Sequence, residues 1–330
     1  MNILMLSLIN TEQNDAGKVH FLELAYSFSK IGNQVSCVLP RGAIDERFTK
    51  NCRIHQLPFK SSDNYFFLLF LNILLFIRAL SLVNKNTDFV YIRFRLLPCN
   101  FLKILLILTG KKTFIFTEHP GWVEREMMIE NHSRIKANIG KFLQKSDSQS
   151  ADFTLAMTEG IMEKHIENGL PANKISVLQN GTNTDHYFPL NREIVLSFLK
   201  NQFSLPENAV IFGFSGNISK WQGINDLINA SIQLMDEFPV YLLIIGTGKY
   251  LDEIKRKISQ LNVNHRIFLK ENVPYADMNI WNNCIDIAFA PKVKSLDGFT
   301  SPLKLRDYAA CGKPVISTAI RGIKEFEPYG

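Results

Sequence analysis

The sequence lacks the marks of several common protein classes. Its five cysteines are scattered and form no C-x-x-C pair, which argues against a disulfide framework or a zinc site and favours a reducing compartment. The formal net charge is only +6, and no Lys/Arg cluster is interleaved with aromatic residues, so a nucleic-acid partner is not expected. No D-x-D triplet occurs, so a divalent-metal site has no obvious ligands.

Neither a secretory leader nor a clear membrane span is expected from the sequence. The stretch MNILMLSLIN has no basic region and no small-residue cleavage site, and it is typical of a first buried strand. The segment Tyr65–Val83 is apolar over a membrane-like length, but Asn72 and Arg78 interrupt it. The favoured interpretation is a buried core helix, the second is a helix partly exposed to lipid, and a true transmembrane helix ranks last. The basic residues that favour the second are Arg78, Lys85, Arg93, Arg95 and Lys103.

The pattern along the chain predicts its architecture. The 330 residues are enough for two domains, and short β-rich runs alternate with helical patterns, as in parallel strands joined by crossover helices. The alternation breaks at the polar stretch Asn180–Leu190 and then restarts. We predict an α/β protein with two facing Rossmann-like, doubly wound parallel-sheet domains: residues 1–180, a linker at 181–190, and residues 191–330. Ligands of such folds bind beyond the carboxyl ends of the strands.

Two glycine-containing strand ends are candidates for phosphate binding. In FGFSGNISKWQGINDL, Gly216 allows close backbone approach, and Asn217 and Lys220 follow it before a helix begins. Gly17 holds a similar place after the first strand. An ordinary strand–helix turn would use the same residues, so this alternative stays open at both places.

A histidine at another strand end is a candidate for chemistry. In FIFTEHPGW, Glu118 and His119 come just after a strand, where side chains point toward a ligand site. A packing or surface role is the alternative for His119.

The stretch DGFTSPLKLRDYAACGKPVIST predicts a helix with an unusual start. Pro302 fits the first helical position, so the free N–H donors are those of Leu303 and Lys304. Thr300 and Ser301 add hydroxyl groups where a cap belongs, and the Lys304 side chain adds a full positive charge. These groups together predict a diphosphate site.

Asp307 lies on the same face of this helix, three residues after Lys304. A carboxylate there can accept hydrogen bonds from two neighbouring sugar hydroxyls, such as those of a ribose. Phosphate donors and a hydroxyl acceptor one turn apart therefore predict a nucleoside-diphosphate site. The alternative is a capped helix with a Lys304–Asp307 pair on a solvated face.

Several stretches together resemble the family-4 retaining glycosyltransferases of the GT-B fold. The strings that carry the resemblance, in chain order, are KISVLQNGTNTDHYFP, FSGNISKWQGINDLINA, LLIIGTGKYLDEIKRKI, NVPYADM and SPLKLRDYAACGKPVI. The resemblance implies an N-terminal acceptor-binding domain and a C-terminal domain that binds a nucleotide-sugar.

The resemblance also implies roles for single residues. The helix matching Thr300–Cys311 would bind the donor, with Asp307 in place of a glutamate that holds the ribose. Gly216 and Lys220 would contact the diphosphate, and Asn272–Val273 would lie against the base. His119 resembles in position a histidine near the reacting sugar.

The chain departs from the family pattern in two places. Phe299 stands where the family often has a second acid, and Asp297 is close but out of register. The family also continues with further helices beyond the point where this sequence stops, which implies a C-terminal truncation.

We therefore predict a cytoplasmic enzyme of cell-surface polysaccharide or glycolipid synthesis. It would transfer a hexosyl-type sugar from a nucleoside-diphosphate donor to a glycan or lipid-linked acceptor hydroxyl, with retention, without a metal or other cofactor, and beside an anionic membrane surface. The alternatives are a nucleotide-sugar epimerase, a sugar phosphorylase, or a non-catalytic donor-binding partner of a membrane transferase.

Overall fold

The computed structural model describes residues 1–12, 16–62, 64–94, 96–293, 298–321, 323 and 326. Asp297 and Arg95, both named above, lie outside the described residues. The chain divides into two compact units. The first comprises Met1–Gln179 with Gly298–Ser301, and the second comprises Asn180–Asp297 with Pro302–Gly330.

The first unit is built on a seven-stranded parallel sheet with the strand order β3-β2-β1-β4-β5-β6-β7. Its strands are β1 (Asn2–Leu6), β2 (Gln34–Leu39), β3 (Arg53–Gln56), β4 (Phe89–Arg93), β5 (Phe114–His119), β6 (Phe153–Ala156) and β7 (Ile175–Val177). Its helices are α1 (Ala16–Lys30), α2 (Glu46–Asn51), α3 (Tyr65–Leu82), α4 (Asn100–Leu108), α5 (Val123–Ile129), α6 (Arg134–Ser150) and α7 (Glu159–Glu167), with a 3-10 turn at Ala172–Lys174.

Both faces of this sheet are covered by helices. In β1, Ile3 and Met5 pack with α1 and α2, while Leu4 and Leu6 pack with α3 and α4. Successive side chains of a strand point to opposite faces, so burial on both faces requires the continuous apolar runs seen in the sequence.

Helix α3 is the apolar segment whose environment the sequence left open. Leu71, Leu75 and Phe76 on one side lie in the core with β1 and α4, and Asn72 accepts a hydrogen bond from the Leu97 N–H. Its outer side is exposed. By length and composition α3 is also the one helix among the described residues that could cross a membrane, with 33% of it buried. Core helices of soluble proteins pass the same test, so this is weak evidence for a span.

The second unit is built on a five-stranded parallel sheet with the strand order β10-β9-β8-β11-β12. Its strands are β8 (Val210–Ser215), β9 (Val240–Ile245), β10 (Ile267–Lys270), β11 (Ile287–Ala290) and β12 (Val315–Ser317). Its helices are α8 (Arg192–Gln202), α9 (Ile224–Met235), α10 (Leu251–Gln260), α11 (Met278–Asn283) and α12 (Leu303–Ala310), with 3-10 turns at Lys220–Gln222 and Tyr275–Asp277.

The segment expected to be a linker is built into this second unit. The Phe188 N–H donates to Asn279 Oδ1 at 3.2 Å, and the Leu190 N–H donates to Asn283 Oδ1 at 2.9 Å. Two buried asparagines of α11 therefore fix the segment along the helix.

The predicted fold class, two doubly wound parallel sheets, is confirmed. In such a sheet the ligand crevice opens where the strand order reverses. That point lies between β1 and β4 in the first unit, and between β8 and β11 in the second.

Candidate functional site

The reversal point of the second unit carries the glycine turn that the sequence singled out. Gly216 follows the last residue of β8 and is exposed, as is Asn217. Its φ of +133° disfavours other residues, and a Cβ at this position would lie 3.1 Å from Lys304 Nζ. The positive φ is the main reason that glycine suits this position, since the flexible end of the Lys304 side chain could shift by a few tenths of an ångström to admit a Cβ.

The Lys304 side chain is buried, with 8% of the residue exposed. Its Nζ donates to Gln222 Oε1 at 3.2 Å and lies 3.5 Å from the centroid of the Phe214 ring. Burial, and secondarily the charge of Lys292, lowers the pKa of Lys304 well below its ordinary value, while Asp307 acts in the opposite direction. A buried ammonium with an amide and a ring face as partners is a group that an anionic ligand would stabilise.

Lys292, two residues past β11, is a site residue that the sequence reasoning missed. It is close enough to Lys304 for the two charges to repel, and its N–H donates to Thr318 Oγ1 at 3.0 Å. The signal that could have found it is its position after a strand next to β8 in the sheet.

Helix α12 begins one residue later than predicted, so the expectation that Pro302 is its first residue is wrong. Pro302 flanks the helix with a ψ of 114° and is not its first residue, and no side chain hydrogen-bonds the helix start. Leu303 is the first helical residue, so its N–H and that of Lys304 still open the helix. Tyr308 ties α12 to β8, because the Ser215 N–H donates to its hydroxyl at 2.6 Å.

Asp307 is half-buried on α12 and has a partner that the sequence did not indicate. Thr182 Oγ1 donates to Asp307 Oδ1 at 2.5 Å. The expected partner on the same helix, Lys304, instead turns toward Gln222.

The segment predicted to lie against a base is shaped by a left-handed residue. Asn272 has a φ of +53°, and Val273 is partly buried beside the core that contains Trp281. Two residues on, the Tyr275 ring stacks on His186, with centroids 4.3 Å apart. Lys220 opens the 3-10 turn before α9 and is exposed.

In the first unit, His119 ends β5 and has no exposed surface. Its Nε2 lies 3.2 Å from Asp147 Oδ2, and its Nδ1 lies 3.3 Å from Gln144 Nε2. Both ring nitrogens lie next to protein groups, but the buried Nε2 makes no hydrogen bond to any described residue, and contact with a reacting sugar stays a prediction. His165 packs against this ring, with centroids 4.6 Å apart; burial, aided by His119, lowers the pKa of His165 to about 2.

Glu118 points to the other face of the same strand and is fully buried. It pairs with Arg93, accepts a hydrogen bond from Tyr91, and lies 3.1 Å from His20 Nε2. Burial alone would raise its pKa, but Arg93 and then His20 outweigh that effect and lower the pKa of Glu118 to about 2.

The remaining predicted residues also belong to the first unit. Gly17 is the second residue of α1 and lies in the helix, not in the loop before it. Thr300 and Ser301 belong to the short segment that groups with this unit, and the Thr300 hydroxyl is buried without a partner. Phe299 is buried with Trp122 and Ile161, and the Arg125 guanidinium lies 4.8 Å from its ring centroid. The structure therefore brings together Gly216, Leu303, Lys304 and Asp307 in the second unit, and it groups His119, Gly17, Thr300 and Ser301 with the first.

Two curated proteins are similar to parts of the chain. "Putative colanic acid biosynthesis glycosyl transferase WcaI" of Escherichia coli is 26% identical over 173 residues, 51% of this chain and 41% of that protein. The N-acetyl-alpha-D-glucosaminyl L-malate synthase of Bacillus anthracis is 23% identical over 183 residues, 55% of this chain and 45% of that protein. The matches thus span about half the length of these relatives or less.

Solved structures share the fold over nearly the whole chain. A sucrose-phosphate synthase from Thermosynechococcus elongatus superposes with a TM-score of 0.76 at 14% identity, covering 98% of this chain and 83% of that one. Anabaena HepE in complex with UDP and glucose gives 0.72 at 15% identity, covering 99% and 83%. WaaG, a glycosyltransferase involved in lipopolysaccharide biosynthesis, gives 0.70 at 15% identity, covering 98% and 83%. These likenesses show the GT-B fold.

Two family models match the chain in sequence order. Glycosyltransferase Family 4 matches residues 17–186, more than half of the chain, and Glycosyl transferases group 1 matches residues 197–327. The relatives include enzymes of cell-surface polysaccharide synthesis. The chain belongs to Glycosyltransferase Family 4 and has the GT-B fold.

Proposed function

We propose that the chain transfers a hexosyl-type sugar from a nucleoside-diphosphate donor to an acceptor hydroxyl, with retention. The observation that carries this proposal is the buried Lys304 ammonium beneath the Gly216 turn, at the reversal point of the second sheet. Backbone N–H groups at the start of α12, with Lys304 and Lys220, would stabilise the leaving diphosphate as negative charge develops on it. HepE, which shares the fold, has been crystallised with UDP and glucose, which supports a donor of this class.

The finer features of the reaction are part of the same proposal. Because lysine side chains supply the positive charge, the diphosphate needs no divalent metal. Retention follows from the resemblance to retaining enzymes. The acceptor is a glycan or a lipid-linked glycan of the cell surface, in line with the names of WcaI and WaaG.

Incubation with UDP-, GDP- and ADP-sugars tests the proposal. One of these donors should release its nucleoside diphosphate, either by sugar transfer or by slow hydrolysis. Anomeric analysis of the sugar product should show retention. A donor that binds without any turnover would favour a second candidate, a non-catalytic donor-binding protein. The burial of Phe299 in an apolar cluster, where the family often has an acid, favours that candidate.

We also propose that the chain works at an anionic membrane on the cytoplasmic side. Helix α4 packs against both α3 and α6, and all three helices expose large apolar side chains on their outer faces. These are Tyr65, Phe66, Leu69, Phe70 and Ile77 of α3, Phe101, Ile104, Ile107 and Leu108 of α4, and Ile135, Ile139 and Phe142 of α6. The cations beside them, Arg78, Arg134 and Lys136, are exposed and complement anionic headgroups. Five buried, unpaired cysteines fit a reducing compartment.

Cosedimentation with phosphatidylglycerol vesicles tests the membrane proposal. Binding should occur at low salt and be released at high salt, because salt screens surface charge. Phe66→Glu, at a residue that is 87% exposed, should weaken binding without unfolding the protein. Binding that resists both salt and alkaline wash would instead indicate a true span.

A further inference from the structure

The contact between Thr182 and Asp307 joins residues 125 positions apart in the sequence. The threonine hydroxyl donates to the carboxylate at 2.5 Å, the short distance of a charge-assisted hydrogen bond. Both residues are half-buried and belong to the second unit. A carboxylate rotates readily about its terminal torsion, so a hydroxyl that holds one oxygen fixes where the carboxylate points.

The backbone around Thr182 is itself held in place. The Tyr187 N–H donates to the Asn183 carbonyl at 2.8 Å, and the Asp185 N–H donates to Asn183 Oδ1 at 3.0 Å. His186 Nε2 lies 2.9 Å from the Tyr275 carbonyl oxygen and stacks on the Tyr275 ring. One rigid turn therefore reaches Asp307 at one end and the segment after Val273 at the other.

We propose that Thr182 is a positioning residue for nucleoside recognition: its hydroxyl orients the Asp307 carboxylate toward the ribose diol of the donor. This inference rests on the proposed function and names a further residue of the same site. Thr182 donates its only hydroxyl hydrogen to Oδ1, so the carboxylate keeps a fixed orientation in which it accepts hydrogen bonds from the ribose. Loss of that bond removes one constraint on Oδ1, and restoring the same orientation on binding would weaken the affinity for the ribose.

Titration calorimetry on the full chain provides the test, with UDP, GDP and ADP as ribose ligands and dUDP, dGDP and dADP as their 2′-deoxy partners. Thr182→Val keeps the shape of the side chain and removes the hydroxyl. The variant should bind the ribonucleoside diphosphate about fivefold more weakly, which is the effect of one lost hydrogen bond. Its affinity for the matching deoxy ligand should fall clearly less. Thr182→Ser keeps the hydroxyl and should restore the discrimination.

Two further variants separate positioning from general structure. Thr184→Val makes the same change two residues away at an exposed position and should leave both affinities unchanged. When Asp307→Asn is already present, adding Thr182→Val should lower the affinity little further, because the two residues act as one unit. Equal losses for ribose and deoxy ligands, or full additivity with Asp307→Asn, would overturn the inference.

The same titrations distinguish the inference from the function on which it rests. If the wild-type chain binds none of the three nucleoside diphosphates, the proposed function fails and this inference fails with it. If the wild type binds a ribonucleoside diphosphate more tightly than its deoxy partner, and Thr182→Val has the same two affinities, only the role of Thr182 is wrong.

Discussion

The buried charges at the carboxyl ends of the two sheets have opposite signs and different partners. Near the reversal point of the first sheet, at the end of the adjacent strand β5, the buried Glu118 carboxylate is paired with Arg93 and lies next to His20, so protein groups neutralise its charge. At the reversal point of the second sheet, the buried Lys304 ammonium faces the Gln222 amide and the Phe214 ring, and Lys292 repels it.

The Glu118 charge therefore stabilises the fold, whereas we propose that the Lys304 charge binds a ligand. A buried ion is costly unless an opposite charge and hydrogen bonds compensate it. In the first unit that compensation comes from Arg93 of β4 and His20 of α1. In the second unit Asp307 offsets the burial of Lys304 only in part, and we propose that an anionic ligand supplies the rest. A donor diphosphate, as proposed above, would add the negative charge that offsets the Lys304 ammonium.

The largest effect should come from breaking the compensated charge. Glu118→Gln leaves Arg93 and His20 without their carboxylate and should lower the free energy of unfolding by about 3–5 kcal/mol, measured by urea denaturation at neutral pH. Since the pKa of Glu118 is lowered to about 2, its stabilisation should be complete above the ordinary glutamate pKa, about 4.3, and be lost as the pH falls toward 2.

An exposed ion pair provides the matched control for Glu118. Glu46 pairs with Lys50 at 2.9 Å on the surface of α2, and Glu46→Gln should change the free energy of unfolding by no more than about 0.5 kcal/mol. Similar small losses for both variants would show that the Glu118 cluster does not stabilise the fold.

Ligand binding at the second reversal point should depend on pH through Lys304. The pKa of Lys304 is lowered by burial, and a bound diphosphate should raise it again, so binding must take up a proton wherever free Lys304 is neutral. Affinity should then fall with rising pH, by up to tenfold per pH unit or about 1.4 kcal/mol. Calorimetry from about pH 7.5 upward avoids titration of the terminal phosphate, whose pKa is near 6. A slope that persists in Lys304→Met would contradict the assignment.

The third effect is smaller and has the opposite sign to that of Glu118→Gln. Lys304→Met replaces a buried charge that Asp307 offsets only in part with an apolar chain of similar length, and should raise the free energy of unfolding by about 0.5–2 kcal/mol while weakening binding. Lys18 is equally buried but donates to the Thr11 carbonyl at 2.7 Å, so Lys18→Met should be destabilising. Thermal unfolding of the two variants should therefore shift in opposite directions, and a lower melting temperature for Lys304→Met would argue for a structural lysine.

Local patterns in the sequence were enough to predict part of this site. Alternating strands and helices predicted the two parallel sheets. The spacing of Lys304 and Asp307 predicted only that they share one helix, and the family resemblance alone implied that Gly216 belongs to the same site. The exact start of α12 was not predictable, because Pro302 can either open a helix or precede it.

Contacts between distant segments could not be read from local spacing. Thr182 reaches Asp307 across 125 residues, and Lys292 is brought near Lys304 by strand order alone. The burial of His119 likewise depends on Gln144 and Asp147 of α6, whose sequence gives no sign that they face a histidine.

Calorimetric titration of UDP, GDP and ADP can show whether the second reversal point binds the diphosphate of a nucleotide-sugar, as we propose. Wild type should bind at least one of them, and Lys304→Met and Lys220→Ala should each weaken that binding by about 1.5–3 kcal/mol, the value of a charge-assisted contact. Lys200→Ala, at an exposed lysine of α8, should have no effect. Unchanged affinity in both site variants would contradict the account.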